Sequence, residues 1–315
     1  MSDSSFERSL IANPPRWPNG ARCAVALTFD VDTDSMLHYS LPERAHTKLT
    51  ALSWTRYDQI AIPRIVELYR HYDLKQTFCV PAWVAERYPA MVEKIAAGGH
   101  EIVLHGYLHE LSSELERDEE AAILDRGAAL IEHVAGTRPQ GWRAPFYAFS
   151  PNSAELLCDA GFTYDSSLMG DDVPYLLRCD AGDLVEIPAD YQSDDWAQYV
   201  QSVEFEYLMP IRAPARGMEV FRAEFEAAYA CGGLWVSIWH PFVSGRLSRL
   251  LEVRKLIEDM LERGDVWIAT LGEIAAHIRA LTSSGEYEPR IESVPFYPGP
   301  IAQADSSVIH PGETE

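Results

Sequence analysis

The chain has 315 residues and is strongly acidic, with 26 lysines and arginines against 48 aspartates and glutamates and a formal net charge of −22. Because such a charge repels phosphate groups, nucleic acids and anionic lipid surfaces are poor partners for it. No stretch approaches the roughly 18 consecutive apolar residues of a membrane helix, and the N-terminus shows no secretion-signal pattern. We therefore expect a cytoplasmic protein that acts without nucleic acid or membrane.

The length of the chain fits one large domain with additional segments at its ends as well as it fits two average domains. Residues 1–22 and 282–315 are rich in proline, glycine, serine and glutamate, which predicts extended arms. Between the arms, short apolar runs alternate with segments of helical periodicity. We predict a single catalytic domain over residues 23–281, a size that α/β barrels commonly reach.

Seven short apolar runs, each bounded by charge, glycine or proline, are the predicted strands. In chain order they cover residues 23–29, 76–80, 101–104, 141–144, 184–187, 234–239 and 266–269. Helices are predicted over 118–135 and 247–263, after an N-cap at Ser150, and after a capping box formed by Thr270 and Glu273. This alternation predicts a parallel α/β sheet closed into a barrel, with an open doubly wound sheet as the alternative.

Polar side chains stand at the ends of four predicted strands. Asp30 and Asp32 follow the first strand, His105 follows the third, Arg143 ends the fourth and His240 follows the sixth. Each alone has an ordinary structural explanation, since an aspartate after a strand is usually a turn former. Because the carboxyl ends of parallel barrel strands share one rim, the five together predict an active site.

Two of these positions, Asp32 and His105, suit a metal ion together with His109. His105 and His109 are spaced i, i+4, so their imidazoles can reach one metal together with the carboxylate of Asp32. Two neutral imidazoles and one carboxylate leave an open position on a divalent ion, where water is acidified and a carbonyl is polarised. We predict one divalent ion, Zn²⁺, with Asp30 as the general base and His240 as the general acid.

The motifs around these residues resemble those of the polysaccharide deacetylase superfamily. The family pattern T-F-D-D-G reads T-F-D-V-D at residues 28–32, H-[ST]-x-x-H reads H-G-Y-L-H at 105–109, and R-x-P-[YF] reads R-A-P-F at 143–146. The second carboxylate is displaced by one residue, and Gly106 replaces a hydroxyl residue. The resemblance implies a distorted (β/α)7–8 barrel of NodB type, with Asp30 as base and Asp32, His105 and His109 as metal ligands.

The same resemblance implies roles for residues around the reacting group. Arg143 would orient the base, and the backbone N–H of Phe146 would donate to the oxyanion. Tyr147 and Trp196 are aromatic residues that could stack on a planar imide or a sugar, so they do not discriminate between these substrates.

A further family motif is an aspartate followed by tryptophan, whose carboxylate supports the catalytic histidine. We assign it to Asp195 in preference to Asp165, because Asp195 follows the predicted strand over 184–187. The carboxylate of Asp195 would then orient and stabilise protonated His240.

A finer resemblance concerns the substrate. The stretches at 29–32, 105–110 and 240–246 resemble the cytoplasmic branch that holds cyclic imide hydrolases, allantoinase-like proteins and a Helicobacter-type peptidoglycan deacetylase, which implies a homotetramer. We predict a metal-dependent hydrolase of non-peptide carbon–nitrogen bonds, acting on a small cyclic imide or ureide. The alternative is N-deacetylation of an aminosugar, peptidoglycan or polysaccharide. A catalytically silent binding protein is the remote alternative.

Overall fold

The computed structural model describes residues 4–301, in which helices and strands alternate over most of the length. The strands are β1 (Cys23–Asp30), β2 (Thr77–Val80), β3 (Glu101–Leu104), β4 (Gly141–Trp142), β5 (Tyr164–Asp165), β6 (Tyr175–Cys179), β7 (Gly182–Glu186), β8 (Leu234–Trp239), β9 (Val266–Ile268) and β10 (Ile291–Ser293). The α-helices are α1 (Ser4–Ser9), α2 (Ser35–Ser40), α3 (Leu49–Thr55), α4 (Asp58–His71), α5 (Ala82–Arg87), α6 (Pro89–Ala97), α7 (Arg117–Ala135), α8 (Ser153–Asp159), α9 (Trp196–Tyr199), α10 (Pro214–Cys231), α11 (Pro241–Ser244), α12 (Leu247–Arg263) and α13 (Leu271–Ser284). Short 3₁₀ helices lie at Pro18–Gly20, Ala45–Thr47, Ser112–Glu114, Pro145–Tyr147 and Tyr191–Ser193.

The strands form one sheet in the order β10-β6-β7-β5-β4-β3-β2-β1-β8, and β9 also pairs with β1. All strand pairs are parallel except β6 with β7. From β1 to β5 each new strand is added on the same side, which is the winding of a (β/α) barrel and not of a doubly wound sheet.

The barrel is not closed, which corrects that part of the prediction. Among the described residues, the segment after β7 forms no strand ladder with β8 and pairs with it at a single parallel bridge between Asp194 and Ile238. Pro188 lacks a backbone N–H for a ladder, and the chain then turns through the 3₁₀ helix Tyr191–Ser193 and α9. This segment therefore cannot supply a full strand.

All seven predicted strands are present, within a few residues at their ends, while β5, β6 and β10 were not predicted. The predicted helices over 118–135 and 247–263 correspond to α7 and α12. The capping box of Thr270 and Glu273 is present at the start of α13. Helix α8 begins at Ser153, three residues after the predicted N-cap Ser150, but the Ser150 hydroxyl accepts the N–H groups of Asn152 and Ser153, which are the hydrogen bonds of an N-cap.

The two arms contain more regular structure than predicted. Helix α1 lies within the N-terminal arm, and in the C-terminal arm β10 pairs in parallel with β6. Residues 1–3 and 302–315 of the predicted arms lie outside the described residues. Within residues 4–301, no helix is both long and apolar enough to cross a membrane.

The alternation of β1 explains how the sheet presents polar groups. Val25 and Leu27 pack in the large hydrophobic cluster with the surrounding helices, whereas Ala24 and Ala26 pack in a second cluster with α13. We call the face that carries Ala24 and Ala26 the inner face. Because side chains alternate along a strand, Asp30 continues this inner face at the carboxyl end of β1.

Candidate active site

A cavity of about 640 Å³ opens at the carboxyl ends of the parallel strands. Eight of the ten predicted site residues line it, namely Asp30, Asp32, His105, His109, Phe146, Tyr147, Trp196 and His240. The other two, Arg143 and Asp195, are fully buried and hydrogen-bond to lining residues. The structure thus brings all ten residues to one place.

Asp32, His105 and His109 form a buried cluster whose potential ligand atoms all lie within 4.8 Å of one another. The Asp32 oxygens lie 3.5 Å from His105 Nε2 and 3.4 Å from His109 Nε2. Adjacent ligands of a tetrahedral zinc ion, each bound at about 2.1 Å, are separated by about 3.4 Å. Burial raises the pKa of Asp32, but His109 and His240 lower it more, so that it lies well below its ordinary value.

The carboxylate of Asp32 fits a cation. Both of its oxygens are buried and accept no hydrogen bond from the described residues. A buried carboxylate without partners is costly unless a positive charge compensates it. We conclude that these three residues could hold a divalent metal ion.

The orientation of His105 is set by a main-chain oxygen. The carbonyl of Arg143 accepts a hydrogen bond from His105 Nδ1 at 2.7 Å, which leaves Nε2 as the free ligand atom. Burial lowers the pKa of His105 and so favours the neutral imidazole that a metal requires.

The loop between the two histidines explains the departure from the family pattern. Gly106 has φ +70°, and a Cβ there would lie 2.9 Å from Pro145 Cγ and 3.0 Å from Glu110 Oε2. The Glu110 carboxylate occupies this space because it accepts the N–H groups of Tyr107 and Leu108. A serine or threonine at position 106 would collide with both neighbours.

Asp30 is held by the buried guanidinium of Arg143. Arg143 Nη1 donates to Asp30 Oδ1 and to Thr28 Oγ1, each at 2.8 Å. The remaining guanidinium nitrogens donate to the carbonyl and hydroxyl oxygens of Ser166, each at 3.0 Å. This leaves Asp30 Oδ2, which lies 4.0 Å from His105 Nε2, as the carboxylate oxygen on the side of the metal cluster.

His240 is paired with Asp195, as the assignment of the aspartate–tryptophan motif requires. His240 Nδ1 lies 2.7 Å from Asp195 Oδ1, and the His240 N–H donates to Asp195 Oδ2 at 3.0 Å. Burial lowers the pKa of His240, but the Asp195 carboxylate raises it more, and the net value lies well above the ordinary one. The Nε2 of His240 lies 3.4 Å from Asp32 Oδ2 and so faces the cluster.

Asp165, the alternative partner, has a different position. Its neighbour Tyr164 packs in the cluster of the inner face, so strand alternation turns Asp165 away from that face. Asp165 accepts hydrogen bonds from the N–H and hydroxyl of Ser167 and is paired in register with Glu186. It therefore supports the strand ends near Arg143.

The aromatic residues of the predicted site line the cavity. The ring of Phe146 is 45% exposed and stands perpendicular to the His109 ring, with centroids 4.4 Å apart. Trp196 packs edge-on to His240 at 5.7 Å. The Tyr147 hydroxyl donates to Asp194 Oδ2 at 2.7 Å.

Two carboxyl groups near the site, Asp58 (buried) and Asp194 (largely buried), were not predicted. Asp194 lines the cavity, and burial raises its pKa to about 6; its position beside Asp195 in an aspartate pair was a usable signal. Asp58 begins α4 and accepts the Thr33 N–H at 3.1 Å. Burial, and then the charge of Asp32, raise the pKa of Asp58 well above its ordinary value. In sequence, Asp58 looks like any acidic residue in the first turn of a helix.

A sheet of this winding, with an aspartate and two histidines at its carboxyl edge, is the architecture of NodB-type domains. The sequence profile of the family described as polysaccharide deacetylase matches residues 19–164. A peptidoglycan deacetylase of Helicobacter pylori is 30% identical over 246 residues, which cover 69% of this chain and 83% of that protein. The chain belongs to the polysaccharide deacetylase (NodB homology) family.

Solved structures agree with this membership. The crystal structure of a candidate polysaccharide deacetylase from Mycobacterium smegmatis is 40% identical, with a TM-score of 0.84 over 89% of this chain and 96% of that one. PuuE allantoinase has the same fold, with a TM-score of 0.73 over 85% of this chain and 95% of that one at 23% identity. The predicted α/β class of NodB type is confirmed. Because deacetylases hydrolyse non-peptide carbon–nitrogen bonds, the predicted enzyme class is confirmed as well.

Proposed function

We propose that the protein is a metal-dependent deacetylase that hydrolyses the acetamide group of an N-acetylated amino sugar of the peptidoglycan type. The observation that carries the proposal is the convergence of the metal cluster, a carboxylate held by arginine and a histidine held by aspartate in one cavity. The similarity to a peptidoglycan deacetylase favours this alternative over the cyclic imide that the sequence analysis put first.

The metal would be held by Asp32, His105 and His109. When bound there, a divalent ion supplies Lewis acidity to water and to the substrate carbonyl. Zn²⁺ is our choice, since two imidazoles and one carboxylate with an open position are its usual catalytic ligands.

The chain's own residues move the protons. Asp30, whose Oδ1 is occupied by Arg143, has Oδ2 available to take a proton from the attacking water. Asp195 holds the Nδ1 of His240, so Nε2 gives the proton to the leaving nitrogen. The products are acetate and a free amine, and no covalent intermediate with the protein is needed.

The backbone of Phe146 has the remaining role. Phe146 lines the cavity next to His109, and the family resemblance gives its N–H the role of oxyanion donor. We assign it to the carbonyl oxygen, which gains negative charge as water adds to the acetamide carbon. Tyr147 and Trp196, at the wall of the cavity, would contact the sugar ring.

The test is acetate release by purified protein stripped of metal and then reloaded with Zn²⁺ or Co²⁺. The substrates are N-acetylglucosamine, its oligomers and peptidoglycan fragments, with succinimide, dihydrouracil, hydantoin and allantoin assayed for ring opening. We expect acetate release that chelation abolishes and metal restores. Ring opening without acetate release would favour the cyclic imide or ureide substrate that the sequence analysis put first. Metal binding without turnover of any of these substrates would indicate a catalytically silent binding protein.

A matched pair of histidine variants checks the metal site. His105→Ala should lose both metal and activity, whereas His133→Ala, which changes an exposed histidine on α7, should keep both. Full activity in protein that elemental analysis shows to be free of metal would contradict the proposal.

We propose that the protein acts in the cytoplasm and assembles as a homotetramer, as the family resemblance implies. Light scattering coupled to size-exclusion chromatography would measure the assembly, and a monomeric mass would contradict it.

A further inference from the structure

The turn that carries Phe146 has an unusual backbone. Phe146 and Tyr147 are consecutive residues with φ +55° and +59°, in the left-handed region that side chains other than glycine rarely adopt. Such a conformation costs free energy and persists only where surrounding contacts enforce it. Among the turn's own hydrogen bonds are those from the Tyr147 N–H to Ala144 O and from the Ala148 N–H to Pro145 O, each 3.0 Å long.

The side chain of Tyr147 is held from a distant part of the sequence. Its hydroxyl donates to Asp194 Oδ2 at 2.7 Å, across a separation of 47 residues. The other oxygen of Asp194 accepts the N–H of Trp196 at 2.8 Å. Because the Asp194 side chain is only 14% exposed, water competes little for these hydrogen bonds.

The segment that carries Asp194 is itself anchored to the sheet. Asp194 forms the bridge with Ile238 of β8, and the Asp195 N–H donates to Ile238 O at 3.0 Å. The carboxylate of Asp195 hydrogen-bonds to His240, and that of Asp194 hydrogen-bonds to Tyr147 and lies 3.8 Å from His240 Nδ1. The segment is a fixed support for both.

We infer that Asp194 is a positioning residue: through the Tyr147 hydroxyl it holds the left-handed turn that presents the Phe146 N–H to the carbonyl oxygen of the substrate. This inference rests on the proposed function, because it concerns the oxyanion of that reaction. Loss of the Tyr147–Asp194 hydrogen bond lets the turn relax and withdraws the N–H from the place where negative charge develops. Neither Asp194 nor Tyr147 belongs to the metal cluster, so metal binding is unaffected.

Tyr147→Phe is the first variant, since it removes only the hydroxyl. In metal-loaded protein with an N-acetylglucosamine oligomer as substrate, we expect kcat to fall about tenfold or more while KM stays within about twofold, as loss of a transition-state contact predicts. The control is Tyr72→Phe, which removes a tyrosine–glutamate hydrogen bond of 2.6 Å to Glu258, away from the cavity, and should leave kcat unchanged. A raised KM with unchanged kcat would show that the Tyr147 hydroxyl acts only in substrate binding, and would overturn the inference.

Variants of Asp194 test the connection to Tyr147. Asp194→Asn retains groups that hydrogen-bond to a tyrosine hydroxyl, so its kcat should lie closer to that of the wild type than the kcat of Asp194→Ala does. The double variant Tyr147→Phe with Asp194→Ala should be no slower than Asp194→Ala alone, because both changes remove the same hydrogen bond. Fully additive losses would overturn the inference.

A measurement without substrate separates this inference from the proposed function. Amide hydrogen exchange over residues 144–149 should be faster in Tyr147→Phe than in the wild type, since the turn loses its support. Unchanged exchange would refute the role of the hydrogen bond even if the wild type releases acetate. Absence of acetate release by the wild type would refute the proposed function, while the exchange experiment would still decide whether Asp194 holds the turn.

Discussion

Replacing Gly106 with alanine should destabilise the loop between the two histidines of the metal cluster. Left-handed backbone costs alanine about 1 kcal/mol more than glycine. The new Cβ would also lie 2.9 Å from Pro145 Cγ and 3.0 Å from Glu110 Oε2, and such overpacking costs about 1–3 kcal/mol. We therefore expect Gly106→Ala to lower the free energy of unfolding by about 2–4 kcal/mol.

Gly136→Ala is the matched control for this prediction. Gly136 follows α7 with φ +77°, but a Cβ there would meet no atom within 4 Å, so only the backbone cost of about 1 kcal/mol applies. Urea unfolding of metal-free protein measures both values, and metal titration should show weaker binding only in Gly106→Ala. Equal destabilisation by the two substitutions would refute the role of steric contact with Pro145 and Glu110.

Two further predictions concern carboxyl groups. Asp30→Asn should reduce turnover by about a hundredfold or more with one metal ion retained per chain, because it removes the base and spares the ligands; if elemental analysis showed metal loss in Asp30→Asn but not in Asp32→Asn, the two assignments would be exchanged. Burial and the neighbouring Asp165 raise the pKa of Glu186 well above its ordinary value. When the pKa of an acid is higher in the folded than in the unfolded protein, the acid contributes to the free energy of unfolding at low pH. That contribution is lost as the pH rises through the pKa of the folded state. Glu186→Gln should therefore lose less stability than the wild type between about pH 5 and about pH 8, and identical urea unfolding curves at both pH values for the two proteins would contradict this pKa shift.

The residues at strand ends could be predicted because two local signals coincide there. Asp30 and His105 each follow an apolar run. Because the carboxyl ends of parallel strands lie at the same edge of the sheet, such positions come close together regardless of how the rest of the chain packs. The pairing of Asp195 with His240 could not be predicted from a local pattern, because 45 residues separate them. It was assigned by resemblance, and the structure provides the contact.

The features that were missed depend on packing that leaves no periodic signal. Strand β5 contains only two residues and has no apolar run of its own. Strand β10 lies in a stretch rich in proline and glycine and pairs only because β6 offers an open edge. The gap in the barrel follows from an irregular segment around Asp194, whose role depends on contacts with Tyr147 that no local pattern encodes.

Arg143 holds two residues of the site, His105 through its main chain and Asp30 through its side chain. Its carbonyl oxygen fixes the ring of His105, and its guanidinium fixes Asp30. Every amino acid carries the carbonyl, but only arginine carries the guanidinium. Substitution at position 143 therefore has an asymmetric effect: His105 keeps its tautomer through any substitution that preserves the backbone, whereas Asp30 loses the guanidinium in every case and its counter-charge in every case except lysine. In a diverging lineage, a chain that had lost catalysis by this route would still be able to bind metal.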